Sequence, residues 1–112
     1  MFRRALWAAA LLAAGAASAQ AQCDTRFRVV NQSGAEVREL YFSSSANNAW
    51  GEDRLGADTL PAGRSIAFNP GGRGGNYDFR VVWMNGQGAE LRQVNICQAS
   101  EVIINRNGLS AR

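Results

Sequence analysis

The side chains of this 112-residue chain that could carry chemistry are few, and most of them are carboxylates. Histidine and lysine are both absent. A Ser-His-Asp triad, a Cys-His dyad, a Schiff-base lysine and a histidine-ligated zinc are therefore all excluded. Only carboxylate chemistry remains, with Glu52, Asp53, Asp58 and Asp78 as the candidates, and a pair of these could in principle serve as general acid and general base. Glycosidases that use such a pair need a cleft deep enough to distort a sugar, which a domain of about 90 residues rarely offers. The expectation is a non-enzymatic protein without a cofactor, with a carboxylate-dependent hydrolase as the weakest alternative.

The densest group of polar and aromatic side chains is Trp50-Gly51-Glu52-Asp53-Arg54-Leu55, set in a stretch of Ser, Asn and Gly. Two uses compete for it. In the structural one, Trp50 and Leu55 fold inward over an open end of the domain while Asp53 bonds loop amides, as compact long loops do. In the functional one, Trp50, Glu52, Asp53 and Arg54 form a surface for a glycan or protein partner. A third possibility gathers Glu52, Asp53 and Asp58 with carbonyl oxygens around calcium, although the spacing matches no EF-hand loop. Arg73 within Gly71-Gly72-Arg73-Gly74-Gly75 suggests phosphate binding only weakly, because a P-loop needs a lysine and a following helix. A mobile connection between strands explains that glycine run better.

The elements that would position these groups read as strands. Thr25 to Val30 alternates Phe27 and Val29 with Arg26 and Arg28, the period of a half-buried strand, before Asn31-Gln32-Ser33-Gly34 turns the chain. Glu36 to Ser43 resumes the pattern with a one-step slip that predicts a bulge at Arg38 or Glu39. From Ser44 to Gly63 the periodicity vanishes, and irregular connections of that length are uncommon unless they have a task. Arg64 to Phe68 is a short strand. Tyr77 to Met84 is the strongest element, with Tyr77, Phe79, Val81 and Trp83 on one face, and is expected at the centre of a sheet. Asn85-Gly86 predicts a type I′ hairpin with positive φ at both residues. Ala89 to Cys97 returns, and Glu101 to Asn105 closes the series.

The first residues, MFRRALWAAALLAAGAASAQA, have the layout of a secretory signal: Arg3 and Arg4, then a short apolar run from Ala5 to Ala17, then Ala17-Ser18-Ala19 and Ala19-Gln20-Ala21 as small-x-small cleavage sites. The apolar run is shorter than the roughly 18 to 20 residues that span a bilayer, so no membrane insertion is expected after cleavage. The flanks of Arg3-Arg4 lack the fuller twin-arginine consensus, which favours general secretion. Residues 1–21 are thus read as signal peptide and 22–112 as one β-domain, placed in the periplasm or outside the cell. Two of the twelve arginines belong to that leader, leaving ten against nine acids in alternation, which argues against nucleic-acid binding. In an oxidising compartment the two cysteines, Cys23 and Cys97, are expected to form a disulfide. Closing so long a loop contributes roughly 4 kcal/mol, comparable with the whole stability of a small domain.

These features together predict an all-β fold, a small antiparallel β-sandwich or barrel of about five to six strands with one disulfide, preceded by a signal-peptide helix. The succession of Phe27-x-Val29-x-Asn31 and Gly34, Leu40-Tyr41-x-Ser43, Trp50-Gly51-x-Asp53-x-Leu55, Leu60-Pro61-x-Gly63, Tyr77-Asp78-Phe79-Arg80-Val81 and Cys97 resembles a family of small exported bacterial proteins often called Tat pathway signal proteins. The resemblance covers nearly all of the chain after the leader. It implies an exported all-β domain and no particular activity. Asn85-Gly86 stands where an acidic turn is expected in that family, which argues against a metal at that turn. The functional expectation is a binding module of the bacterial envelope whose loop from Ser44 to Pro61 reaches a protein or saccharide. A small inhibitor or accessory subunit acting on another protein is the alternative.

Overall fold

The computed structural model describes residues 23–112. The expected signal peptide, residues 1–21, and its helix lie outside the described residues. Seven strands follow in order: β1 (Phe27–Asn31), β2 (Val37–Ser44), β3 (Ser65–Phe68), β4 (Asn76–Trp83), β5 (Gly88–Asn95), β6 (Glu101–Ile104) and β7 (Leu109–Ala111). They form a four-stranded sheet in the order β3-β1-β6-β7 and a three-stranded sheet in the order β2-β4-β5. Alternation drives the layering: Phe27 and Val29 of β1, Val102 and Ile104 of β6, Leu40 and Phe42 of β2, and Phe79, Val81 and Trp83 of β4 share one buried cluster between the sheets.

The all-β sandwich with one disulfide is therefore present, with three departures in detail. β6 pairs with β1 in parallel, Val29 opposite Val102, while every other strand pair is antiparallel. A parallel neighbour requires a long crossover, and here the whole three-stranded sheet lies between the two strands in sequence. The seventh strand, β7, is three residues long with Leu109 as its one large apolar side chain, too short for alternation to register. The turn after β4 is not type I′. Gly86 alone takes positive φ, at 89°, with its N–H bonded to the Trp83 carbonyl at 2.9 Å, while the Trp83 N–H donates to Gln87 at 2.8 Å. That pattern makes Met84-Asn85-Gly86 a three-residue loop closed by a glycine bulge.

The expected bulge in β2 is found, since the register with β4 slips between Val37 and Glu39. A second bulge sits on the opposite side of β4. Tyr77 pairs with Val94 and Phe79 with Leu91, so Asp78 faces both Arg92 and Gln93, and Gln93 adopts φ 59°.

Two fastenings hold the sheets together. Cys23, ahead of β1, is bonded to Cys97, just after β5, with their Cα atoms 5.4 Å apart. At the other end Asn31 is fully buried: its amide donates to the carbonyls of Ala35 (2.8 Å) and Leu60 (2.9 Å), and its Oδ1 accepts from the Ser33 N–H (3.1 Å) and hydroxyl (2.7 Å). Trp83 Nε1 donates to the same hydroxyl at 3.0 Å, so β1, β4 and the end of the long loop meet at one satisfied polar knot.

Candidate functional site

The connection from β2 to β3 folds back along the outer edge of β2, an edge that would otherwise present unpaired backbone groups. Leu60 exchanges both backbone hydrogen bonds with Val37, at 2.9 and 3.0 Å. Further along, Asp53 Oδ1 accepts from the N–H of Leu40 and from that of Leu55, each at 3.0 Å. The Arg54 N–H donates to the Leu40 carbonyl at 2.7 Å, and its guanidinium donates to the Phe42 carbonyl at 2.9 Å while lying 4.1 Å above the Phe42 ring. Leu55 is buried in the core. Asp53, Arg54 and Leu55 thus hold the loop against β2, much as the structural reading of the motif supposes.

Trp50 is placed differently. It is half-buried at the end of the three-stranded sheet, with the Arg92 guanidinium 4.9 Å from its ring centroid. The ring lines a cleft of about 70 Å³ with Ser43, Asn47, Asn48, Ala49, Asp78 and Arg92. Glu52 is exposed and has no hydrogen-bond or ion-pair partner among the described residues. The motif therefore splits: Asp53 and Arg54 face the strand edge, while Trp50 and Glu52 are left at the surface.

Beneath Trp50 lies a charged ladder. Asp78, only 5% exposed, accepts from the Ser45 hydroxyl at 2.6 Å, from the Gln93 N–H at 2.9 Å and from Arg92 at 3.2 Å. Those donors hold its carboxyl below the ordinary aspartate range, the Ser45 bond most of all, although burial pulls the other way. Arg92 also bonds Glu90 at 2.8 Å, and Glu90 in turn bonds Arg80 at 2.8 Å. The Arg92 contact lowers the Glu90 carboxyl most; burial opposes it, and the Arg80 contact adds to the lowering. Arg92 and Ser45 were not among the residues singled out by sequence. For Arg92 the one legible signal was the three-residue step from Leu91 to Val94, which marks the bulge that turns the Gln93 N–H toward Asp78; Ser45 had none.

Among the described residues, Asp78 is the one carboxylate lining the Trp50 cleft. Asp53 Oδ1 is occupied by two amides, and among the described residues no three Asp, Glu or Cys side chains converge as a metal site. The glycine run, read from sequence as mobile, is docked. Gly71 N–H donates to Thr25 Oγ1 and to Asn69 Oδ1, each at 3.2 Å, and the Arg73 carbonyl oxygen lies 3.6 Å from each sulfur of the disulfide.

No family model matches the chain, and neither does any curated protein. Among solved structures, an NMR structure of a protein from Eubacterium rectale is similar, with a TM-score of 0.59 at 14% identity over 82% of this chain and 91% of that one. At that identity the likeness is one of fold. The disulfide points to an oxidising setting, and no helix among the described residues is long and apolar enough to cross a membrane.

Proposed function

We propose that this protein is an exported, non-enzymatic binding module of the bacterial envelope, and that it meets a protein or saccharide partner through Trp50 and the surface around it. The observation that carries this reading is the division of labour within the long loop. Asp53, Arg54 and Leu55 anchor it, while Trp50 keeps part of its ring in solvent beside an exposed Glu52. A large aromatic side chain on a rigidly held loop loses little entropy on binding, which is why such residues dominate interface energetics. The neighbouring cleft is well under the roughly 300 Å³ a small-molecule site needs, so contact with a larger surface fits better than engulfment of a ligand.

The test compares the oxidised protein with Trp50→Ala as bait against periplasmic and envelope extracts, with melting curves for both. A partner retained by the wild type and lost by a variant that melts within a few degrees of it supports the reading. A variant that melts far earlier makes Trp50 a structural residue and removes the main support, and so does a variant that keeps every partner of the wild type.

A further inference from the structure

On the other side of the end of β2, away from Trp50, lies a second cleft of about 300 Å³, lined by Phe42, Arg54, Phe68, Asn69, Pro70 and Tyr77. It shares no lining residue with the Trp50 cleft. Among the described residues that line it, three of the six side chains are aromatic and none is acidic. Phe42 and Phe68 meet edge to face with centroids 4.9 Å apart, and Tyr77 stands 6.3 Å from Phe42. Its volume reaches the lower end of the range for small-molecule sites, and mixed aromatic and polar walls are the common composition of such sites.

The polar groups of this cleft are donors left over from structural duties. Arg54 spends one Nη2 bond on the Phe42 carbonyl and forms no ion pair among the described residues. Asn69 uses Oδ1 to accept from Thr25 at 2.6 Å and from the Gly71 N–H at 3.2 Å, which fixes its orientation and leaves Nδ2 without a partner among the described residues. The Tyr77 hydroxyl has no partner among them either. An uncompensated guanidinium, an amide NH₂ and a phenol around aromatic walls complement an anionic acceptor carried on an apolar ring.

We infer that this cleft is a binding site for a small carboxylate with a flat apolar body, the carboxylate meeting Arg54 and the body packing against Phe68 and Tyr77. The site borrows Arg54 from the anchor of the Trp50 loop, but the ligand would touch no residue of the Trp50 cleft. A free aromatic acid and the C-terminal aromatic residue of a peptide offer the same chemistry, and the probes separate them.

Titrations of the ¹⁵N-labelled oxidised protein with benzoate, benzamide and acetate, followed by amide chemical shifts, test the assignment. Benzoate is expected to saturate with shifts centred on Phe42, Arg54, Phe68 and Tyr77, and to bind about tenfold more tightly than neutral benzamide or ringless acetate. Arg54→Gln should erase the preference for benzoate. If that variant fails to fold, the wild-type comparison of the three probes decides alone. N-acetylphenylalanine binding more tightly than benzoate would indicate a chain terminus, and the reverse a free acid. Equal binding of benzoate and benzamide, shifts centred elsewhere, or no saturation would overturn the inference.

Discussion

Asp53 and Leu40 are joined across the open edge of the three-stranded sheet by a 3.0 Å bond from the Leu40 N–H to the Asp53 carboxylate. The same oxygen holds the Leu55 N–H at 3.0 Å, so one side chain both shields the β2 edge and shapes the loop that runs beside it. Edge protection of this kind occupies backbone groups with which a neighbouring molecule could otherwise pair.

Removing that carboxylate should therefore have two effects. Asp53→Ala is expected to cost about 1.5–3 kcal/mol, the range for charge-assisted bonds whose partners are left behind, and Asp53→Asn should cost less because an acceptor remains. Urea unfolding gives the first quantity. Sedimentation should show association rising with concentration in the alanine variant alone, and an alanine variant as stable and monomeric as the wild type would refute the assignment.

Acid should weaken the fold through Asp78. Its folded carboxyl binds protons less readily than the unfolded one, so its contribution is complete above the unfolded value of about 3.9 and is lost as pH falls through the lower folded value. Glu90 is lowered as well and acts in the same direction. Asp78→Asn should melt earlier than the wild type at neutral pH and show a shallower decline below about pH 4. Parallel melting profiles for the two proteins would contradict this.

The glycine loop offers a paired experiment. A Cβ on Gly74 would stand 2.6 and 2.7 Å from the two disulfide sulfurs at φ 76°, whereas one on Gly71, also at φ 76°, meets nothing within 4 Å. Gly71→Ala should cost about 1 kcal/mol, for backbone conformation alone. Gly74→Ala should cost about 2–4 kcal/mol, because overlap with the disulfide is added. Equal losses in denaturant would mean that the loop does not rest on the disulfide.

Ser33 is the test of the buried knot. Ser33→Ala removes the acceptor for Trp83 Nε1 and one donor to Asn31, so about 1–3 kcal/mol should be lost. The indole environment should change with it, visible as a shift in tryptophan fluorescence. An unchanged melting curve would mean that water replaces the hydroxyl without penalty.

Strands were legible wherever alternation ran for five or more residues. β1, β2 and β4 stand close to where their patterns put them, and the three-residue step from Val37 to Leu40 was enough to locate the first bulge. The same kind of step from Leu91 to Val94 marks the second one, which the reading of Ala89 to Cys97 as an unbroken strand did not include. The parallel partnership of β1 and β6 leaves no local trace, since alternation reports which face a residue occupies and not which strand lies beside it. β7 was too short to register, and Asn85-Gly86 closed a different turn because only Gly86 needed positive φ. Within the candidate site, the motif from Trp50 to Leu55 could be found by composition. Its division could not, since which side chains anchor the loop depends on the β2 edge, and residues as distant as Arg92 complete the surface.

The parallel pairing of β1 with β6 also sets the timetable of folding. Val29 lies between Ile66 on one side and Val102 on the other, so the first strand to be made waits for nearly the last. A chain growing from its N-terminus can assemble β2, β4 and β5 while the opposite sheet still lacks half its members, and pairings so distant in sequence close slowly. The sandwich is therefore completed only after synthesis has passed Ile104. Such a delay leaves the four-stranded sheet open, with Val29 lacking its second neighbour, until the chain is nearly finished.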